Sequence, residues 1–121
     1  MHIIVCVDDK NGMAFNKRRQ SRDRVLCEYL IKRYGTLTVD EYSLSLFDSG
    51  AKIGDFSDGV CFVEKDIPKY PDKITLCKWN RVYPADMYFD IPLDSYTLTF
   101  CGDIVGSSHE RITIEEYEKT V

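Results

Sequence analysis

The sequence predicts an α/β protein, a single domain built on an open mixed β-sheet with few helices and an antiparallel hairpin at its C-terminal end. Three observations predict it. The chain starts with a nearly continuous apolar, β-branched run from His2 to Asp8, which suits a strand covered on both faces in the middle of a sheet. Helical patterns cluster early and strand patterns late, the order expected when parallel pairs come first and an antiparallel pair closes the sheet. With 121 residues, 44% of them hydrophobic, the chain can bury one sizeable core but not two, so residues 1–121 are read as one domain.

The first strand ends at the turn signal Asp9-Lys10-Asn11-Gly12. A polar loop is expected through Gln20. Ser21 can then cap a helix in which Val25, Leu26, Tyr29 and Leu30 recur on one face, with Gly35 as its stop. Thr36 to Val39 reads as a short strand, and Asp40 can cap a brief helix through Phe47 with Tyr42, Leu46 and Phe47 facing inward. Asp48 to Gly59, rich in Asp, Ser and Gly, reads as a loop. Four further strands are expected at Val60–Glu64, Ile74–Trp79, Ser95–Phe100 and Arg111–Glu118, the last two with alternating Tyr96-Leu98-Phe100 and Ile112-Ile114-Tyr117. No internal repeat or linker divides the chain.

Composition excludes several classes. No apolar run reaches the roughly 18 residues that cross a bilayer, and Met1 to Val5 enters an apolar segment without a basic leader, so the expected location is cytoplasmic. The cysteines Cys6, Cys27, Cys61, Cys77 and Cys101 are odd in number, far apart and set among apolar residues, the pattern of buried thiols, and five free sulfhydryls are expected. Without a Cys-x-x-Cys, and with only His2 and His109 to add, no metal site is expected.

Net charge is −4, yet the segment Lys17–Arg33 carries seven cations against Asp23 and Glu28. A solvated helix face explains such an island; so does an anion site, because Arg18, Arg19, Gln20 and Ser21 form a run of donors just before a helix start with free N–H groups. Extended nucleic acid is not expected to bind so acidic a chain. Asp23, among Arg19, Arg22 and Arg24, reads as a first-turn carboxylate and an arginine organiser rather than a proton donor. In Trp79-Asn80-Arg81-Val82-Tyr83, Trp79 reads as core and Asn80 as a turn, leaving Arg81 and Tyr83 freer to contact a ligand. Gly106-Ser107-Ser108-His109-Glu110 places a hydroxyl pair before a histidine, but a hydrolase also needs an orienting acid and an oxyanion site, and the segment reads as a hairpin loop.

In order along the chain, Ile3-Ile4-Val5-Cys6-Val7-Asp8-Asp9-Lys10-Asn11-Gly12-Met13, then Phe15-Asn16, Asp23, Tyr83-Pro84-Ala85-Asp86-Met87-Tyr88-Phe89-Asp90-Ile91, Tyr96-Thr97-Leu98-Thr99 and Ile112-Thr113-Ile114-Glu115-Glu116-Tyr117-Glu118-Lys119 resemble the dihydrofolate reductase family. The resemblance implies that family's fold in shortened form, with Asp23 at the position of its catalytic acid. It also marks departures. Val60-Cys61-Phe62-Val63-Glu64-Lys65 stands where the family keeps a double glycine beside the cofactor pyrophosphate. Asp48–Gly59 is too short for the missing strand, helix and strand that carry the adenosine-phosphate site and folate arginine. Met87 aligns with the threonine that supports the acid, and Cys27 with the aromatic residue one turn after it. No cofactor, and no NADPH-dependent reduction of dihydrofolate, is therefore expected.

Three functions are consistent with these residues. The first is a non-catalytic binding protein for an anionic, nucleotide-like small molecule, using Arg18, Arg19, Gln20, Ser21, Asp23, Asn80, Arg81 and Tyr83, with charge reversal at Arg19 more damaging than at Lys32. The second is a protein-interaction module, such as an inhibitor or a phage-type antagonist of another enzyme. The third is a residual pterin or folate reductase with Asp23 as acid. Oligomeric state is left open.

Overall fold

The computed structural model describes residues 1–47, 49–57 and 59–120. In chain order the strands are β1 (His2–Val7), β2 (Gly12–Phe15), β3 (Arg18–Arg19), β4 (Leu37–Val39), β5 (Ala51–Ile53), β6 (Val60–Phe62), β7 (Lys73–Lys78), β8 (Met87–Tyr88), β9 (Tyr96–Ile104) and β10 (Ile112–Lys119). Helix α1 (Arg24–Tyr34) follows β3, and the single-turn helix α2 (Glu41–Leu44) follows β4. Seven strands form one sheet in the order β5-β4-β6-β1-β7-β10-β9. The pairs from β5 to β7 are parallel; β10 joins β7 antiparallel, and β9 closes the sheet antiparallel to β10. The mixed sheet and closing pair match the fold class expected from sequence.

Strand β1 is buried on both faces, which is why its apolar run does not alternate. Ile4 joins the core beneath α1 with Leu26, Leu30, Phe62, Cys77, Trp79, Ile112 and Ile114. Ile3, Val5 and Val7 point to the opposite face, against Cys61, Ile74, Leu76 and Phe89. Leu30 is fully buried, so truncating it to alanine removes core contacts worth about 2–5 kcal/mol.

The structure corrects several expectations. The polar loop before α1 is a hairpin: β2 and β3 pair across Asn16 and Lys17, both at positive φ (53° and 62°) as a two-residue turn between twisted strands requires. With β8 they form a separate three-stranded sheet. Asp23, not Ser21, caps α1, its carboxylate accepting from Leu26 N–H. The loop expected over 48–59 includes positions 48 and 58, outside the described residues, but contains β5, a parallel neighbour of β4. Its Ala-Lys-Ile is short and half-exposed, with no periodicity to betray it. In α2 the buried residue is Ser43 rather than Tyr42. Leu98 is exposed, and Tyr117, three residues after Ile114, falls by strand alternation on the opposite face; the bulge beside it puts its extra residue, Thr99, in β9. Of the five cysteines, Cys101 lies exposed on edge strand β9.

Candidate functional site

Asp8 closes β1 and fixes the wall of the site. Its carboxylate accepts from the N–H groups of Lys10 (2.9 Å), Gly12 (2.7 Å) and Tyr83 (3.1 Å) and from Gln20 Nε2 (3.0 Å). Burial alone would raise its pKa; the backbone donors outweigh burial and lower it. Gly12 is required there, because a Cβ would sit 2.6 Å from Gln20 Nε2.

The centre of the site is the N-terminus of α1. Asp23 is 2% exposed and receives Leu26 N–H at 3.1 Å, Ser107 N–H at 3.0 Å and Ser108 N–H at 2.8 Å. His109 Nδ1 lies 3.0 Å from Asp23 Oδ2 and donates to it. Burial pushes the Asp23 pKa up, but these donors together hold it well below the usual carboxylate range. The imidazole stacks on Trp79, ring centroids 4.5 Å apart. Its Nε2 faces two hydroxyls, Ser21 Oγ at 3.1 Å and Tyr83 Oη at 3.0 Å. Ser21, Asp23 and Trp79 line a narrow crevice with Cys6, Cys27 and Phe62.

Arg19 also borders the crevice, but it is held by its own partner there. Its guanidinium grips Glu64 with two bonds of 2.7 and 2.9 Å and lies over the Tyr42 ring at 4.4 Å. Ser43 Oγ completes the group, donating to Glu64 at 2.8 Å. The expectation that Asp23 organises arginines is thus corrected: backbone amides and His109 hold Asp23, while Glu64 holds Arg19. Arg18 is exposed on β3, and Arg81 is exposed. Asn80, at φ 60°, donates to Arg111 O and Thr113 Oγ1 and pins its turn. Of the residues singled out from sequence, Gln20, Ser21, Asp23 and Tyr83 converge here; Arg18, Asn80 and Arg81 do not meet them.

Beside the crevice, a groove of about 500 Å³ runs between α1 and the segment after α2. Arg22, Arg24 and Lys32 line it with apolar Ile31, Leu46 and Phe47. Arg24 is paired with Glu28, whereas among the described residues neither Arg22 nor Lys32 has an ion-pair partner. After β6, in place of a double glycine, Val63 is buried and Glu64 is engaged with Arg19.

No protein-family model matches the sequence, and no curated protein does. Among solved structures, a dihydrofolate reductase from Enterococcus faecalis, complexed with NADP(H) and RAB-propyl, superposes with a TM-score of 0.68 over 99% of this chain and 96% of that one, at 10% identity. The fold is dihydrofolate-reductase-like. At that identity the likeness is one of fold, and function has to be argued from the site. Among the described residues no group of three or more His, Cys, Asp or Glu could hold a metal ion, and no helix is long and apolar enough to cross a membrane.

His109 is the site residue that sequence reasoning missed. The available signal was a Ser-Ser-His triplet between two strands, which lacked a visible acid; that acid is Asp23, 86 residues earlier.

Proposed function

We propose that this chain binds an anionic small molecule with an apolar or aromatic body, nucleotide-like in character, and does not reduce it. The observation that carries this reading is the groove beside α1: about 500 Å³ suits a drug-sized ligand, its floor is Ile31, Leu46 and Phe47, and Arg22 and Lys32 stand at it without carboxylate partners among the described residues. An aromatic ring can rest on the floor while its anionic group meets the guanidinium in a charge-assisted pair. Reduction with Asp23 as proton donor fits poorly, because a carboxylate held ionised by backbone amides has no proton to give near neutral pH.

The cations of this reading are Arg22, Arg24 and Lys32. Arg19 is satisfied by Glu64, and an anion approaching it would meet that carboxylate as well. Calorimetry against mono- and dinucleotides and aromatic carboxylates tests the assignment. Arg22→Glu is expected to weaken binding by about tenfold or more, the scale of one lost charge-assisted hydrogen bond, and exposed Arg18→Glu to have little effect. Equal losses would reduce the effect to bulk attraction. No binding by the folded wild-type protein would favour a protein-interaction module instead.

A further inference from the structure

We propose that Ser21 is the nucleophile of an acyl-transfer site, activated by His109 and oriented through Asp23, that hydrolyses esters or thioesters with a short acyl group. The argument begins with the order of contacts. Asp23 Oδ2, His109 Nδ1, His109 Nε2 and Ser21 Oγ follow one another at 3.0 and 3.1 Å, so a buried carboxylate fixes the ring and its tautomer while the far nitrogen faces a hydroxyl. That sequence of acid, imidazole and hydroxyl is recognised by geometry and not by position along the chain. Here its members come from the segment before α1, the α1 cap and the loop between β9 and β10.

Three further features separate Ser21 from an ordinary buried hydroxyl. Ser21 lines the crevice, whereas Ser107 and Ser108 turn their hydroxyls to Asp23 and cap the helix. Tyr83 Oη shares Nε2 and, like His109 itself, stands behind the crevice wall, so it props the ring while Ser21 is the member of the group that reaches the crevice. Among the described residues, the backbone N–H groups of Ser21 and Arg22 have no acceptor, leaving donors at the nucleophile and the residue after it for a developing oxyanion. Gln20 Oε1, also on the crevice wall, is buried with no partner. Its Nε2 is already used by Asp8 and Pro84 O, so the oxygen is free for a donor on a bound molecule.

The chemistry balances with water as co-reactant. Ser21 Oγ bonds to the acyl carbon as its proton passes to His109 Nε2. The acyl–oxygen or acyl–sulfur bond then breaks, and Nε2–H protonates the leaving alcohol or thiol. Water attacks the acyl-serine, His109 takes its proton and returns it to Ser21 Oγ, and the free acid departs. The size of the acyl group follows from the crevice, whose open space of about 20 Å³ takes one group of water or methyl size, so the carbonyl itself has to lie toward the mouth. The leaving portion lies in the groove of Arg22 and Lys32; that placement alone rests on the binding reading above.

The test uses the full chain and three uncharged probes, so its outcome is independent of whether the groove binds anions. Incubation with a fluorophosphonate should give one covalent adduct, mapped by peptide mass spectrometry to Ser21, and p-nitrophenyl acetate should be turned over while p-nitrophenyl octanoate is not. Ser21→Ala should abolish both labelling and turnover, and His109→Gln should slow them roughly 100-fold or more, the loss expected of a general base. If His109→Gln does not fold, the mapping on wild-type protein still decides. No adduct on folded wild-type protein, an adduct at a lysine or tyrosine, or unchanged labelling in a folded His109→Gln variant would each overturn the proposal; equal turnover of the octanoate would overturn the short-acyl assignment.

Discussion

The two ends of α1 each carry a carboxylate, a histidine and a set of hydroxyls, but they deploy the negative charge in opposite ways. At the C-terminal end Glu116 is paired with Arg33 Nε at 2.8 Å and with the Tyr34 hydroxyl. His2 there packs edge-on against the Tyr34 ring, centroids 5.1 Å apart, without a hydrogen bond to Glu116; its Nε2 meets Thr75 Oγ1 at 2.8 Å, and burial lowers its pKa. The Arg33 guanidinium depresses the Glu116 pKa and also neutralises its field. At the N-terminal end Asp23 is held by uncharged N–H groups, so its charge is left for the one ring it touches, His109. A carboxylate satisfied by dipoles can stabilise a proton arriving on an imidazole; one satisfied by a guanidinium has little left to offer. Two histidines on one fold, His2 half-buried and His109 buried, thus differ in the partner of the nearest acid.

The largest test of that contrast is to remove each charge. Asp23→Asn turns one acceptor oxygen into an NH2 group, which with the amide in place of Oδ2 leaves the His109 ring and the Ser108 N–H without their acceptor, and should cost about 3–5 kcal/mol, the scale of two buried donors left unsatisfied. Glu116→Gln, at a partly exposed pair, should cost about 1 kcal/mol or less. Urea unfolding measures both; equal costs would erase the distinction. Acid sharpens it. Both folded pKa values lie below the unfolded values, so the stability each group contributes is present in full above the unfolded range near pH 4 and is lost as pH falls through the folded pKa. Because Asp23 is held well below the usual range, the deficit of Asp23→Asn should persist to more acidic pH than that of Glu116→Gln.

A smaller perturbation distinguishes steric closure from backbone conformation at the same two ends. A Cβ at Gly106 would strike Asp23 Oδ2 and lie 3.0 Å from His109 O, so Gly106→Ala must push the loop off the carboxylate. About 1–3 kcal/mol is expected, as for overpacking, with loss of any function at Ser21. Gly35, which ends α1 at φ 79°, has open space around its Cβ position. At φ 79° and ψ −153° that backbone lies in a region open essentially to glycine alone, so Gly35→Ala should cost about 1–3 kcal/mol through conformation and leave the site intact. Thermal unfolding, read with fluorophosphonate labelling, separates the two; retained labelling in Gly106→Ala would show that the loop does not close the site.

Much of the fold was legible because its central strands are extreme. β1 and β7 are buried on both faces and read as apolar runs, and the α1 stripe is regular enough to set its length to within a residue or two. The small sheet of β2, β3 and β8 was hidden because its strands are two to four residues long and one of them is Arg18-Arg19, the charge run that looked like a ligand grip. The site was half legible for the same reason. Asp23 and Tyr83 stood out as sequence features, but what gives Asp23 its role is Ser107-Ser108-His109 arriving from a loop 84 to 86 residues away. Likewise Glu64 stands in the sequence only as part of the segment in place of the double glycine, and only the folded chain shows it paired with Arg19. Periodicity records which residues are buried; which polar groups meet is set by topology.

The smallest expected effect reads the Asp23 charge through a neighbour. Cys27 lies one turn into α1, and burial, followed by the charges of Asp23 and Glu64, pushes its thiol pKa up to about 11. Since the thiolate is the reactive form, Cys27 should alkylate slowly at pH 8, roughly a thousandth of it being ionised. Exposed Cys101 should react first, giving an internal reference on the same chain. Removing a negative charge next to Cys27 lowers its pKa, so in Asp23→Asn the ratio of Cys27 to Cys101 labelling by iodoacetamide should rise severalfold. Glu116→Gln, at the other end of the helix, should leave that ratio where it is, because the leading charges acting on Cys27 are those of Asp23 and Glu64. Peptide mass spectrometry over a time course gives both rates. If the ratio rises equally in the two variants, helix opening is being measured instead of a local field, and the claim that Asp23 keeps an uncompensated charge at its end of α1 fails.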